Sequence, residues 1–405
     1  MSILVQKFGG TSVESFEKME QICEIVKKEK IKGTEVVLVV SAMGRKGAPY
    51  ATDTLIGLIS HVSDNPRKRE LDTIMSCGEI ISGTILASML TAKGIEAEFL
   101  TGSQAGILTT SKYSDARVKY INTKRILKGL SEGKVVVIAG FQGVDDDGET
   151  MTLGRGGSDT SAVAIGKALE CELVEIYTDV DGIMTADPRV VPEANIMDFI
   201  NYEEVFQMAD KGAKVIHPRA VQLAQSANMT LVIKNTMNPD YKGTRIGGIE
   251  DYNGEIEEFE EEEDIKVAVA HKGNIAQVRI CAEGIEFTEV LDSIEAKGIS
   301  IDMINFFVSE KDFVVDEGDV EELKVVLDGF NLKYEILKGC AKVTLIGSQI
   351  VSVPGIMSKI VRGLSKDGIS LLQTSDSHMT ISCLVASADM ERAVHSIHEE
   401  FYKKK

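Results

Sequence analysis

Four short and almost unbroken apolar runs, separated by stretches of helical periodicity, constrain this chain more than any other feature. They are ILVQKF (3–8), EVVLVVSAM (35–43), VVVIAGF (135–141) and LVEIYT (173–178). None alternates as a half-exposed strand does, so each reads as a strand buried on both faces. Between them, Phe16, Met19, Ile22, Cys23 and Val26 recur at helical spacing before the polar end KKEKIKG with its glycine stop. Residues 70–92 are helical in length and nearly apolar all round in their second half, and 159–169 also repeat as a helix. Strand, helix, strand, helix in this order implies an α/β fold: a mostly parallel sheet with helices on both faces.

A length of 405 residues suits two or three domains. The net charge of −19 argues against non-specific binding of nucleic acid or anionic membranes. Six cysteines are scattered without a C-x-x-C pair, which reads as reduced thiols in a cytoplasmic protein, not a disulfide framework or zinc site. The N-terminus lacks a signal pattern, and no apolar run approaches the ~20 residues that span a bilayer. The composition changes at 249–264, where eight acids fall within 255–264. Such a block repels itself and reads as a solvated linker, which ends a first domain at 1–248. Beyond it, EFTEVLDSIEAKGISI (286–301) and IMSKIVRGLSKDGISL (356–371) are two copies of one pattern, each preceded by a strand. They divide the remainder into 265–332 and 333–405, with the C-terminal strand and helix available to complete the first copy. Small open units of this kind pair because neither buries its sheet alone.

The chemistry-bearing segments cluster at predicted strand ends. KFGGTS (7–12) follows the first strand, SAMG (41–44) the second, and TDVDGIMTADPR (178–189) a later one; GRGGSD (154–159) precedes a helix. Parallel sheets bind ligands beyond the carboxyl ends of their strands. Lys7, Arg155 and Arg189 supply cations, and the glycines supply backbone N–H groups, a set that suits a polyphosphate. Each segment taken singly also reads as an ordinary turn or helix entry. Glu79 stands in an otherwise apolar helix, as an exposed edge residue, as half of an internal pair, or as the binder of a ligand ammonium. Asp179, Asp181 and Asp187 lack the spacing of a calcium loop. GAKVIHPRA (212–220) adds Lys214, His217 and Arg219, and a lone histidine before proline reads first as structural.

Taken together and in order, VQKFGGTSV, VVSAMG, CGEIIS, TGSQAGILTT, AGFQG, GRGGSDTSA and YTDVDGIMTADPR resemble the aspartate kinases of the amino-acid kinase superfamily. The resemblance continues through both C-terminal copies, which look like ACT domains, and the tail LQTSDSHMTISCLV is most similar to the diaminopimelate-sensitive type. It implies transfer of phosphate from ATP, with Mg²⁺, to the side-chain carboxylate of L-aspartate. That carboxylate is already ionised near neutrality (pKa about 3.9), so no general base is needed. By resemblance, Lys7 and Asp159 are catalytic. Ser41, Thr52, Asp53, Glu79, Arg155, Gly156, Gly157 and Ser158 bind aspartate. Lys7, Phe8, Gly9, Gly10, Thr178, Asp179, Met184, Thr185, Ala186, Asp187, Pro188, Arg189 and Lys214 face the nucleotide. Pro354, Gly355, Ser375 and Asp376 of the second copy receive an effector, diaminopimelate or lysine, with or without threonine. Phe306 and Phe307 stand in the first copy where effector-binding relatives often carry polar side chains. The resemblance also implies a homodimer joined through the ACT domains. Two alternatives are another amino-acid kinase, and an amino-acid-sensing module with a degenerate kinase half.

Overall fold

The computed structural model describes residues 2–213, 216–248, 266–281, 287–348, 350 and 353–403. The acidic linker 249–264 and Lys214 lie outside the described residues. The chain divides into two compact units that are not contiguous in sequence. One holds 2–183, 196–206 and the described residues from 216 to 248; the other holds 184–195, 207–213 and the described residues from 266 onward.

The first unit is built on an eight-stranded sheet. In spatial order its strands are Phe199–Asn201, Thr244–Gly247, Thr230–Asn235, Leu173–Thr178, Ile3–Phe8, Glu35–Val40, Val135–Ala139 and Ala97–Leu100. Every neighbouring pair is parallel except Thr230–Asn235 against Thr244–Gly247. Every residue of Glu35–Val40 and Val135–Ala139 is buried, which explains why these two runs show no alternation. The helix Phe16–Ile31 begins at Ser15, whose hydroxyl accepts from Lys18 N, and buries Met19, Ile22, Cys23, Ile25 and Val26. Phe16 shares the apolar spacing but stands in the first turn and is 65% exposed, so it is not part of that face.

The helix Lys68–Ala92 is apolar and long enough to cross a membrane, but half of its most apolar window is buried in the fold, as in the core helix of a globular unit. Gly83 lets it settle on Phe99, whose ring would lie 2.5 Å from a Cβ there. A second sheet of four short strands (Ile107–Thr109, Val118–Ile121, Gln142–Val144 and Thr150–Thr152) completes this unit.

The C-terminal unit is one six-stranded antiparallel sheet in the order Asp302–Phe306, Glu310–Asp316, Ala268–Cys281, Lys333–Ile346, Thr380–Ala386 and Gln373–Ser377. Its two central strands are 14 residues long and pair with each other along their length, with a shift of register between Lys272 and Gln277. Each strand serves both copies. Ala276, Val278 and Ile280 pack with Val290, Ile294 and Leu323, and Tyr334 and Ile336 join them. Val267, Val269, Ala341, Val343 and Leu345 pack instead with Ile360, Leu364, Val394 and Ile397. Thus the first half of Lys333–Ile346, assigned above to the second copy, completes the first. The first half of Ala268–Cys281 completes the second.

The repeat also extends further than the GIS segments. FVVDEGDVEEL and CLVASADMERA each form a strand end, a single 3₁₀ turn and the start of a helix, Val320–Gly329 and Met390–Tyr402. Residues Ala186, Val191 and Ala194 are buried in the second copy's core, and Ala186 forms a parallel bridge with Val269.

Candidate functional site

Parallel strands end together, so the turns after Phe8, Val40, Ala139 and Thr178 gather at one edge of the sheet. Lys7, on the strand Ile3–Phe8, is 9% exposed, and its Nζ lies 2.6 Å from Asp159 Oδ1. This is an ion-pair contact without hydrogen-bond alignment. Asp159 stands in the first turn of the helix Gly157–Ala168, where the backbone N–H groups favour negative charge. A Cβ at Gly9 would fall 3.5 Å from the same Nζ, so the backbone of the Gly9–Gly10 turn runs beside the ammonium. At Gly10 a Cβ would fall 2.8 Å from Gly44 O and 2.9 Å from Ala42 O, an approach only glycine permits.

The helix that carries Asp159 brings Ser158 to the same edge. A Cβ at Gly140 would meet Val40 O at 2.9 Å and the Ser158 Cβ at 3.0 Å. Gly156 adopts φ +65° ahead of the helix, and a Cβ there would fall 2.1 Å from the His217 Cβ. His217 caps the helix Pro218–Ser226, its Nδ1 accepting from Arg219 N at 3.3 Å. Burial, with Arg219 beside it, holds the imidazole below its usual range, consistent with a neutral structural histidine. Arg155 is exposed and makes no hydrogen bond or ion pair among the described residues.

Glu79 is 3% exposed on the helix Lys68–Ala92. Its Oε1 accepts from Ala42 N at 3.0 Å, while Oε2 is buried without a hydrogen-bond partner among the described residues. This excludes the exposed-edge reading. Burial pushes the carboxyl up to about 8, and two backbone hydrogen bonds offset only part of that. Ser82 Oγ, one turn on, donates to Ser41 O at 2.6 Å. A Cβ at Gly78 would meet Ala42 Cβ at 2.6 Å and Tyr50 O at 3.1 Å, so Ser41 and the approach to Thr52 lie beside Glu79. Thr52 and Asp53 open the helix Thr52–Ser60, with Thr52 half-buried and Asp53 exposed.

The raised Glu79 pKa has a sign that can be measured. Between about 4.5 and about 8 the folded chain retains a proton that the unfolded chain has lost, so stability falls as pH rises through that window. Glu79→Gln removes this dependence. Its melting temperature relative to the parent is expected to rise from pH 5 to pH 8.5, as thermal melts at the two pH values would show. A difference constant with pH would contradict the assignment.

The expected nucleotide residues are divided between the two units. Thr178 and Asp179 line a cleft of about 200 Å³ with Thr11, Ser12, Lys18, Asn235, Thr236 and Met237. Asp179 also pairs with Arg45 at 2.6 Å. Phe8, by contrast, stacks on Tyr177 in the core, with its carbonyl accepting from Ser41 N. Of the 184–189 segment, Thr185 is buried in the C-terminal unit, where its Oγ1 contacts His398 Nε2 at 2.9 Å and accepts from Asn195 N. Met184 and Ala186 pack in that unit's core. Asp187 and Arg189 bind each other, and Arg189 is 83% exposed. These side chains are therefore committed to local partners, apart from Pro188, which the hydrogen bonds do not involve.

Sequence reasoning quoted Thr11 and Ser12 without placing them in the site, and missed Lys18, Arg45, Asn235, Thr236 and Met237. The Asn-Thr pair at the end of the strand Thr230–Asn235 was the available signal. In the C-terminal unit, Gly355 adopts φ +89° as the N-cap of the helix Ile356–Lys366, and Pro354 is exposed. Ser375 and Asp376 lie within the edge strand Gln373–Ser377, and Asp376 is exposed.

Residues 2–235 match the family described as the amino acid kinase family, and residues 335–399 match the ACT domain. Aspartokinase 1 of Bacillus subtilis (strain 168) is 41% identical over 404 residues, covering 99% of each chain. The chain belongs to the aspartokinase family. The aspartokinase of Geobacillus stearothermophilus is similar as well, at 38% identity over 99% of this chain and 97% of its own. Among solved structures, Clostridium acetobutylicum aspartate kinase, described as an allosteric enzyme, superposes with a TM-score of 0.76 at 25% identity, covering 98% and 100% of the two chains. E. coli aspartokinase III in complex with aspartate and ADP gives 0.80 at 23% identity over 99% and 100%, a likeness of fold. The aspartokinase fold thus accounts for the parallel sheet, its helices and the ACT region together.

Proposed function

We propose that the chain transfers the γ-phosphoryl group of ATP to the side-chain carboxylate of L-aspartate, giving 4-phospho-L-aspartate, under feedback control by an amino acid of the pathway that this product feeds. The observation that carries the reading is the buried Lys7–Asp159 pair beside Gly9–Gly10, set close to a buried Glu79 with an unpartnered oxygen. Such transfers depend on positioning and on neutralising charge at the moving phosphoryl group. Lys7 supplies the charge, and Asp159 fixes the lysine. Glu79, ionised on meeting an ammonium, receives the α-amino group, and the Arg155 guanidinium receives the α-carboxylate in bidentate fashion. Ser41, Thr52, Asp53, Gly156, Gly157 and Ser158 complete the aspartate side. The cleft at Thr11, Thr178 and Asn235 takes part of the nucleotide. Mg²⁺, held chiefly by phosphate oxygens and water, offsets the phosphate charge.

The test is ATP turnover with a panel of amino acids, scored by hydroxamate trapping of the acyl phosphate. Turnover with L-aspartate alone supports the reading. Turnover with glutamate or acetylglutamate instead supports a different amino-acid kinase, and none at all supports a sensing module. All six cysteines are unpaired, as suits the reducing cytoplasm.

For regulation, the effector is diaminopimelate or lysine, alone or with threonine, and the second copy is its site. The N-terminus of the helix Ile356–Lys366, without a side-chain cap among the described residues, suits a carboxylate and the exposed Asp376 an ammonium. Coupling of this kind is worth ~1–3 kcal/mol, or roughly 5–150-fold in affinity. Asp376→Ala is expected to raise the effector concentration for half-inhibition at least about fivefold without changing uninhibited turnover. Unchanged inhibition would move the site elsewhere. Homodimerisation through the C-terminal unit, where Phe306, Phe307 and Val308 are exposed, is checked by light scattering.

A further inference from the structure

Asp72 takes no part in the chemistry above, yet it is fully buried, on the same helix as Glu79 and two turns before it. Its Oδ2 accepts from Thr152 N at 2.7 Å and from Ser114 N at 3.0 Å, and its Oδ1 accepts from Ser114 Oγ at 2.8 Å. No cation pairs with it among the described residues, so three neutral donors compensate this buried carboxylate. One of these donors lies three residues before Arg155 and the other two, on Ser114, lie against the same loop.

Thr152 ends the strand Thr150–Thr152, three residues before Arg155. Ser114 holds a left-handed conformation (φ +64°), and its carbonyl would lie 3.0 Å from a Cβ at Gly154. The next residue, Asp115, is paired with Arg219, and Arg219 Nη1 donates to Leu153 O at 3.2 Å. Ala116 N donates back to Thr152 O at 3.0 Å. Residues 152, 153 and 154 are therefore each held on one side of Arg155, and Gly156 is held against His217 on the other.

We infer that Asp72 is a positioning residue for substrate recognition. It ties the helix that carries Glu79 to the loop that carries Arg155, and so sets the separation of the groups that receive the ammonium and the carboxylate of one amino acid. The inference rests on the proposed aspartate site. A geometry error of this sort is costly, since a displacement of ~1 Å can lose as much as ~100-fold. It should fall on the amino acid and spare the nucleotide.

Asparagine would not test this, because its carbonyl oxygen in the Oδ2 position keeps both backbone bonds while its NH₂ donates to Ser114 Oγ; alanine removes all three bonds. In steady-state kinetics of the full chain, Asp72→Ala is expected to raise KM for L-aspartate about tenfold. KM for ATP should stay within about twofold. If both constants are unchanged, or rise together, the inference is wrong and Asp72 only stabilises the fold. Should Asp72→Ala fail to fold, Ser114→Ala removes just the Oδ1 bond and keeps both backbone bonds. It is expected to raise KM for aspartate about threefold with KM for ATP unchanged, and no change would overturn the inference. Arg155→Ala measured alongside separates the two levels. If that variant binds aspartate normally, the substrate site itself is misassigned and the inference falls with it. If it loses aspartate while Asp72→Ala does not, only the positioning role is refuted.

Discussion

Lys7→Ala is expected to lose at least ~100-fold in kcat, the usual consequence of removing one preorganised charge from a transition state. The ammonium sits at the carboxyl edge of a central strand, beside a glycine turn and 2.6 Å from Asp159. Truncation also leaves Asp159 buried without its partner, which by itself destabilises. Lys7→Ala combined with Asp159→Asn removes that unpaired charge and separates the two effects. Stopped-flow or coupled turnover should show the same deficit in both variants, while the double variant should melt closer to the parent. Near-parental turnover in either would remove Lys7 from the mechanism.

Arg155→Ala is expected to lower kcat/KM for L-aspartate by roughly 10–150-fold, the range set by ~1.5–3 kcal/mol for a hydrogen bond to a charged group. Arg155 is exposed and makes no ion pair within the described chain, so its guanidinium need not break an internal contact to meet a carboxylate. For the same reason the melting temperature should hardly move. Calorimetric titration of nucleotide gives the decisive contrast. If ATP affinity collapses and aspartate use survives, Arg155 serves the phosphates.

The parallel sheet was legible because Glu35–Val40 and Val135–Ala139 are buried on both faces and so, apart from Glu35 at the first strand's start, carry only apolar residues. Lys7 was legible as a cation at a strand end, whereas Asp159 was named through the family resemblance alone, and their contact at 2.6 Å came from the fold. The frame around Asp72 was not legible. Its partners are 42 and 80 residues away, and nothing at Ser114 or Thr152 marks a hydrogen-bond donor to a distant carboxylate. The four-stranded sheet escaped notice because strands of three or four residues are too short to show a period. The local partners of the segment 184–189 were hidden for a related reason. TDVDGIMTADPR reads as one continuous loop, whereas the structure hands Thr185 and Ala186 to the hydrophobic core of the other unit.

The shared central strands bear on how the chain is made. Ala268 pairs with Ile346, and Val267 and Val269 are covered by Val394 and Ile397 near the chain's end. While the chain emerges from the ribosome, the first copy can close as soon as residues up to about 340 are available. The second must wait for the terminal helix Met390–Tyr402, with Val267–Ala270 meanwhile lacking their covering. Contacts so distant in sequence form slowly and leave apolar edges open to other chains. Nascent chains arrested short of residue 390 should therefore be the ones that chaperones hold and proteases clear.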